Sequence, residues 1–176
     1  MCFICCCGAL GLSQFGLVVC LVFGGLVKVP LSRSRPSPVL DPRWSPPSAL
    51  FIKVNVDASW FQMDGKATLA AVLRDHNGQF VVAHKLSISA PSVMFAEAMA
   101  MLKGCELAAT MGFRWIVAES DSLEGCRWSW VPRLANQSAD RLASRSIVEM
   151  CGNIWVRRPP SLLVHILNKD GLPCPP

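Results

Sequence analysis

Asp57 in KVNVDAS, Glu97 in FAEAMAMLKGCELA, Asp121 in VAESDS and Asp140 in VPRLANQSADRLAS occupy four separate local contexts. Acids spaced in this way could be gathered into one cluster by folding, and hard divalent cations are held by carboxylate oxygens. The set suits a metal-dependent nuclease site. Each residue also has an ordinary reason to be where it is: solvation at a strand end for Asp57, a turn for Asp121, and a favourable charge near a helix N-terminus, capped by Asn136, for Asp140. Glu97 is the most informative. Its helical neighbours Val93, Met94, Ala100 and Met101 are all apolar, so its carboxylate lies on the face that should pack inward, where an unpaired charge is costly. Glu106, beside Lys103, is an ordinary solvated charge. The joint occurrence of the four acids in this order points to a shared site.

These acids need elements to position them. Phe51 to Asp57 alternates, with Ile52, Val54 and Val56 on one side and Lys53, Asn55 and Asp57 on the other, which predicts a half-buried strand ending at its acid. The apolar runs Thr68–Leu73 and Gln79–Leu86 flank Asp75-His76-Asn77-Gly78, so these two strands should form an antiparallel hairpin. Ser92 to Met111 predicts a helix opened by Ser92 and closed by Gly112. Trp115 to Glu119 suits an interior strand that ends at Ser120-Asp121. A final helix starts at Asn136 and presents Ala135, Ala139, Leu142, Ala143 and Ser146 at roughly helical spacing. The order strand, hairpin, helix, strand implies an α/β sheet of mixed direction.

A chain of 176 residues has room for one domain with a real core. Hydrophobic residues make up 52% of it and charged residues 16%. Residues 1–27 carry no Asp, Glu, Lys or Arg. This stretch could make a transmembrane helix, for which roughly 20 apolar residues suffice, with the following basic residues on the cytoplasmic side. It lacks the basic start of a secretory signal. Cys2-Phe3-Ile4-Cys5 matches C-x-x-C without a second Cys or His pair at zinc spacing, and Cys5, Cys6 and Cys7 are candidates for palmitoylation. Residues 1–30 are thus an apolar leader or membrane segment, and 31–50, rich in proline, are a linker through which neither helix nor sheet runs. Residues 51–150 form the domain and 151–176 a C-terminal tail. Ten Lys/Arg balance ten Asp/Glu between Phe51 and Met150, so the net charge of +5 comes from the flanks. A broad basic footprint for nucleic acid is excluded from the domain.

KVNVDAS, AVLRDHNGQFV, FAEAMAMLKGCELAATMGF, IVAESDSL and WVPRLANQSADRLAS, in this order, resemble the plant-type ribonuclease H type 1 domain, often found in retroelement-derived proteins. The tail from Trp155 to Asp170 is also similar to the usual ending of those proteins, so the resemblance covers roughly residues 43–170. It implies a ribonuclease H-like mixed sheet with helices, in the nucleus or cytoplasm, whose partner is an RNA–DNA hybrid and whose activity is hydrolysis of the RNA strand with two Mg²⁺ (or Mn²⁺) ions. A pair of such ions can activate water and stabilise the leaving oxygen at phosphorus. Carried over by motif, Asp57 bridges the ions, Glu97 and Asp121 complete one shell, and Asp140 holds the other.

This chain departs from the family after Asp121. A helix there usually leads to the next strand, whereas here Cys126-Arg127-Trp128-Ser129-Trp130-Val131 follows within a few residues. A parallel crossover takes a dozen or more residues. The domain is therefore expected to lack the crossover helix after the fourth strand, and its terminal strand to pair antiparallel, leave the sheet, or give way to a loop. Trp130 stands where the family often has a mobile histidine. The alternative function is a non-catalytic remnant that binds nucleic acid or a partner.

Overall fold

The computed structural model describes residues 17–22, 25–30, 43–122, 129–144 and 153–170, the first two segments through their backbone. Leu17–Val22 (β1) and Gly25–Pro30 (β2) pair antiparallel. A helix running through residues 1–27 is therefore not what forms at residues 17–22. Among the described residues no helix is long and apolar enough to cross a membrane. The readings of Cys2 to Cys7, and of the proline-rich stretch up to position 42, lie outside the described residues.

The domain is built on a mixed sheet of Ile52–Phe61 (β3), Lys66–Arg74 (β4), Phe80–Ser89 (β5), Ile116–Ser120 (β6), Ser129–Trp130 (β7) and Ile154–Val156 (β8), in the order β7-β6-β3-β4-β5-β8. β3, β4, β5 and β8 pair antiparallel, while β6 runs parallel to β3 and β7 parallel to β6. The β4–β5 turn follows from its residues: Asp75 Oδ1 accepts from Asn77 N and Gln79 N, and Gly78 supplies the positive φ of 76°.

The expected helix forms as Val93–Thr110 (α1). Ser92 Oγ caps Phe95 N, and Gly112 follows at φ 82°. α1 lies on the apolar face of β3 and β4, where Val54, Val56, Leu69, Ala71, Leu73, Ala100, Met101 and Ala108 are buried together. Gly104 permits the close approach, since a Cβ there would stand 2.7 Å from Val56 Cγ1 and 3.0 Å from Val54 Cγ1. Gln137–Ala143 (α2) and Ser161–Lys169 (α3) cover the opposite face, where Ala70, Val72, Phe80, Leu142, Leu163 and Leu167 are buried.

Several expectations are corrected. β3 does not stop at Asp57 but continues to Phe61, because Asp57 to Phe61 pair in turn with Ala70 to Lys66 across a further hairpin. Its polar side is not half-exposed: Lys53, Asn55 and Asp57 are buried under the segment around Trp44 and under α2. The C-terminal segment, expected as a tail, adds β8 to the sheet edge and packs α3 on the domain. The terminal strand neither leaves the sheet nor pairs antiparallel. β7 is short and in register only with the end of β6, Glu119 beside Ser129 and Ser120 beside Trp130. The eight positions between Ser120 and Ser129 have only to bridge about two residues of strand, some 7 Å, and one inter-strand spacing of about 5 Å, a span within reach of a link of that length.

Replacing Gly104 by Ala should destabilise the domain. The new methyl would overpack two β-branched core side chains, at a cost of about 1–3 kcal/mol, against a helix-propensity gain of roughly 1 kcal/mol. Urea denaturation with unchanged m-value and a lower midpoint is the expected result.

Candidate active site

The register between β3 and β6 sets Asn55 beside Glu119. Two residues further along each chain stand Asp57, in mid-strand, and Asp121, just past the end of β6, both on the face covered by α2. Two side chains from the segment leading into α2 complete the arrangement. Asn136 Nδ2 donates to Val56 O at 2.9 Å and to Asp121 Oδ1 at 2.7 Å, tying the end of β6 to the strand that carries Asp57. Arg133, in the 3-10 turn Arg133–Ala135, donates through Nε to Asp121 Oδ2 at 3.1 Å and holds Nη2 3.6 Å from Asp140 Oδ1. Trp130 Nε1 donates to the backbone oxygen of Asp121 at 3.3 Å.

Asp140 sits in the first turn of α2 and is more open than Asp121, with a side chain 40% exposed against 10%. Glu97 belongs to α1, on the other face of the sheet, yet it exerts the largest charge effect on Asp57. Burial first, then repulsion from Glu97, Asp121 and Asp140, pushes the Asp57 carboxyl up to about 8. Burial and the Asp121 charge push Glu97 up to about 7, and Glu97 Oε2 is buried with no hydrogen-bond partner among the described residues. Arg133 opposes both shifts. The sheet, α1 and α2 thus bring the four acids into one electrostatic unit whose nearest resident cation is a guanidinium.

Among the described residues, no three His, Cys, Asp or Glu side chains already stand in a metal-holding arrangement. The donor chemistry nonetheless fits a hard divalent ion. It offers oxygen ligands only, one buried oxygen lacks a partner, and the crowded negative charge is stabilised by added positive charge.

A second polar cluster backs this site. Lys53 Nζ pairs with Glu119 Oε1 at 2.6 Å, Asn55 Nδ2 donates to Glu119 Oε2 at 3.0 Å, and Trp44 Nε1 donates to Asn55 Oδ1 at 2.8 Å. The Arg74 guanidinium lies 3.5 Å from the centre of the Trp44 ring and pairs with Asp170 Oδ2 at 2.6 Å. Burial lowers Arg74 to about 10, with Asp170 opposing.

Reading the sequence missed the roles of Arg133 and Asn136. Asn136 was expected to cap α2, but its side chain makes no cap bond and turns to the sheet instead. The available signal was a cation and an amide placed three residues apart, just ahead of Asp140.

Residues 55–125 match a family model described as reverse transcriptase-like, a span that takes in Asp57, Glu97 and Asp121 and stops short of Asp140. The structure resembles the N-terminal ribonuclease H domain of a Mycobacterium tuberculosis protein, solved as a fusion with maltose binding protein, at 18% identity and a TM-score of 0.50, over 56% of this chain and 94% of that one. It resembles ribonuclease H1 of the halophilic archaeon Halobacterium salinarum NRC-1 at 22% identity and a TM-score of 0.50, over 56% of this chain and 98% of that one. Comparison with curated protein sequences gave no match. The domain has a ribonuclease H-like fold, built on a mixed sheet with helices.

The raised Asp57 and Glu97 values fix the sign of a pH effect. Both groups hold protons more tightly in the folded chain than in the unfolded one, so folding stability falls as pH rises from about 4 to about 8. Asp57→Asn removes the buried charge, and in EDTA at pH 8 it should be more stable to urea than the parent, by up to several kcal/mol at about 1.4 kcal/mol for each unit by which the Asp57 carboxyl is raised. At pH 4 the difference should vanish. A variant less stable than the parent at pH 8 would contradict this electrostatic account.

Proposed function

We propose that this chain hydrolyses the RNA strand of RNA–DNA hybrids, with Asp57, Glu97, Asp121 and Asp140 holding two Mg²⁺ (or Mn²⁺) ions. The observation that carries the proposal is the convergence on Asp57 of acids drawn from α1, the end of β6 and α2, close enough that Glu97, Asp121 and Asp140 all repel charge there. So much repulsion, together with a buried carboxylate oxygen without a partner, disfavours the metal-free fold. Bound ions would supply a polarised water and a stabilised leaving oxygen at phosphorus.

The chain's own residues do the positioning. Asp57 sits in mid-strand, paired with Ala70 of β4 and two residues beyond the last β3–β6 pair, a rigid mount for a group shared between ions. Asn136 fixes Asp121 against β3. Glu97 and Asp57 both present oxygens that lose their protons when a cation takes them. Asp140, on a short helix and partly exposed, is free to adjust.

A non-catalytic remnant is the second reading. It is favoured by the 3.1 Å contact of Arg133 with Asp121, which already engages one carboxylate, and by a domain whose charges balance.

A labelled RNA–DNA hybrid separates the two. The first reading predicts Mg²⁺-dependent cleavage that EDTA abolishes and Asp57→Asn reduces by at least about a hundredfold, the scale on which misplacing a reacting group is felt. Cleavage indifferent to both would dispose of the nuclease assignment, and no cleavage by the parent chain would select the remnant.

A further inference from the structure

Two arginines meet carboxylates in this domain in opposite ways. Arg74 is wholly buried, stacked on Trp44 and paired at 2.6 Å with a buried Asp170, and it cannot move without opening the core. The Arg133 side chain is 73% exposed. It touches Asp121 through Nε alone at 3.1 Å and approaches Asp140 through Nη2 at 3.6 Å. Neither contact is the parallel two-bond fork that makes an arginine–carboxylate pair strong, and exposed pairs of this kind are held weakly.

Its position is nevertheless specific. Asp121 Oδ1 is already taken by Asn136, so the Arg133 contact occupies the remaining oxygen, Oδ2. Asp140, its side chain 40% exposed, faces the same guanidinium. Among the described residues, the charged groups acting on this side chain all belong to the cluster: Asp121, Asp140 and Asp57.

We infer that Arg133 is a displaceable counter-cation of the carboxylate cluster, which a divalent ion must drive off Asp121 Oδ2 and away from Asp140 before those acids can serve as ligands. The inference rests on the metal-binding reading proposed above. It assigns Arg133 a role the four acids do not have. In the metal-free chain it offsets their repulsion and keeps Asp121 and Asp140 apart from the inward geometry a metal requires. Its release costs little, because the freed guanidinium points into solvent on a surface turn. There it is also available to a phosphate.

The test is Mn²⁺ binding to the full chain, read as loss of the free-ion electron paramagnetic resonance signal, for the parent and for Arg133→Gln, Arg133→Lys and Asp57→Asn. Because the Arg133 side chain is 73% exposed, the Gln variant should keep the parent's circular dichroism. Arg133→Gln should bind Mn²⁺ roughly three- to tenfold more tightly, the scale of removing one partly screened unit charge a few ångströms away. Arg133→Lys should stay near the parent, and the difference between Gln and Arg should shrink as salt is raised. Equal or weaker binding by Arg133→Gln, with binding still sensitive to Asp57→Asn, overturns the inference and leaves the metal site standing. If neither the parent nor Arg133→Gln shows binding that Asp57→Asn removes, the metal-binding reading falls and takes the inference with it.

Discussion

The buried pair of Lys53 with Glu119 is the constraint on which the rest of the site depends. Its charges lie 2.6 Å apart with side chains less than a tenth exposed. Separating them inside the fold would leave an uncompensated charge, at a cost of about 3–5 kcal/mol. Asn55, directly beside Glu119 in the parallel register, donates to its second oxygen. A slip of one residue between β3 and β6 would turn Glu119 to the apolar face under α1 and break all of this at once. The register is thereby locked, and with it the placement of Asp121 two residues beyond Glu119, next to Asp57 two residues beyond Asn55. Stability of the pair and geometry of the candidate site are one fact.

Locking the strands leaves the loops to deliver the other groups. The peptide between β7 and α2 carries Arg133 and Asn136, and both reach back to Asp121. Asn136 does so from full burial and with a second bond to the β3 backbone, so it acts as a brace. Arg133 does so from solvent. The two partners of one carboxylate thus differ in how easily they can be displaced. This is the structural basis for treating one oxygen of Asp121 as fixed and the other as exchangeable.

The short connection after β6 changes what the domain must do elsewhere. Among the described residues, the β7 edge of the sheet carries only a two-residue strand. The opposite edge is extended by β8, and α3 fills the face that α2 alone would leave partly open, burying Leu163 and Leu167 against Val72, Phe80 and Leu142. Trp44, from the segment ahead of the sheet, and Asp170, from the end of α3, close on Arg74 from two sides. The ends of the folded chain are therefore joined through a buried cation, whose desolvation only such a paired and stacked setting can offset.

Local patterns in the sequence determined β3 as far as Asp57, the β4–β5 hairpin with its Asp75 and Gly78 turn, α1 between Ser92 and Gly112, and the short interior strand before Asp121. Each is written in contiguous residues whose periodicity, capping and turn chemistry act over a few positions. The four acids were legible as a set because motifs in order carried the resemblance, and Glu97 because a charge among Val93, Met94, Ala100 and Met101 is locally out of place. Tertiary structure alone decided that Lys53 and Asn55 face a buried network rather than water, that β3 runs on past Asp57, and that β7 joins parallel through so short a link. It also decided that Asn136 braces Asp121 instead of capping its helix and that Arg133 reaches Asp121 and Asp140. These outcomes depend on which distant charge or carbonyl arrives opposite a given side chain. An alternating pattern specifies that a residue points to one face, but whether that face meets solvent, Trp44 or Glu119 is settled only when the sheet is assembled and every buried charge has found its partner.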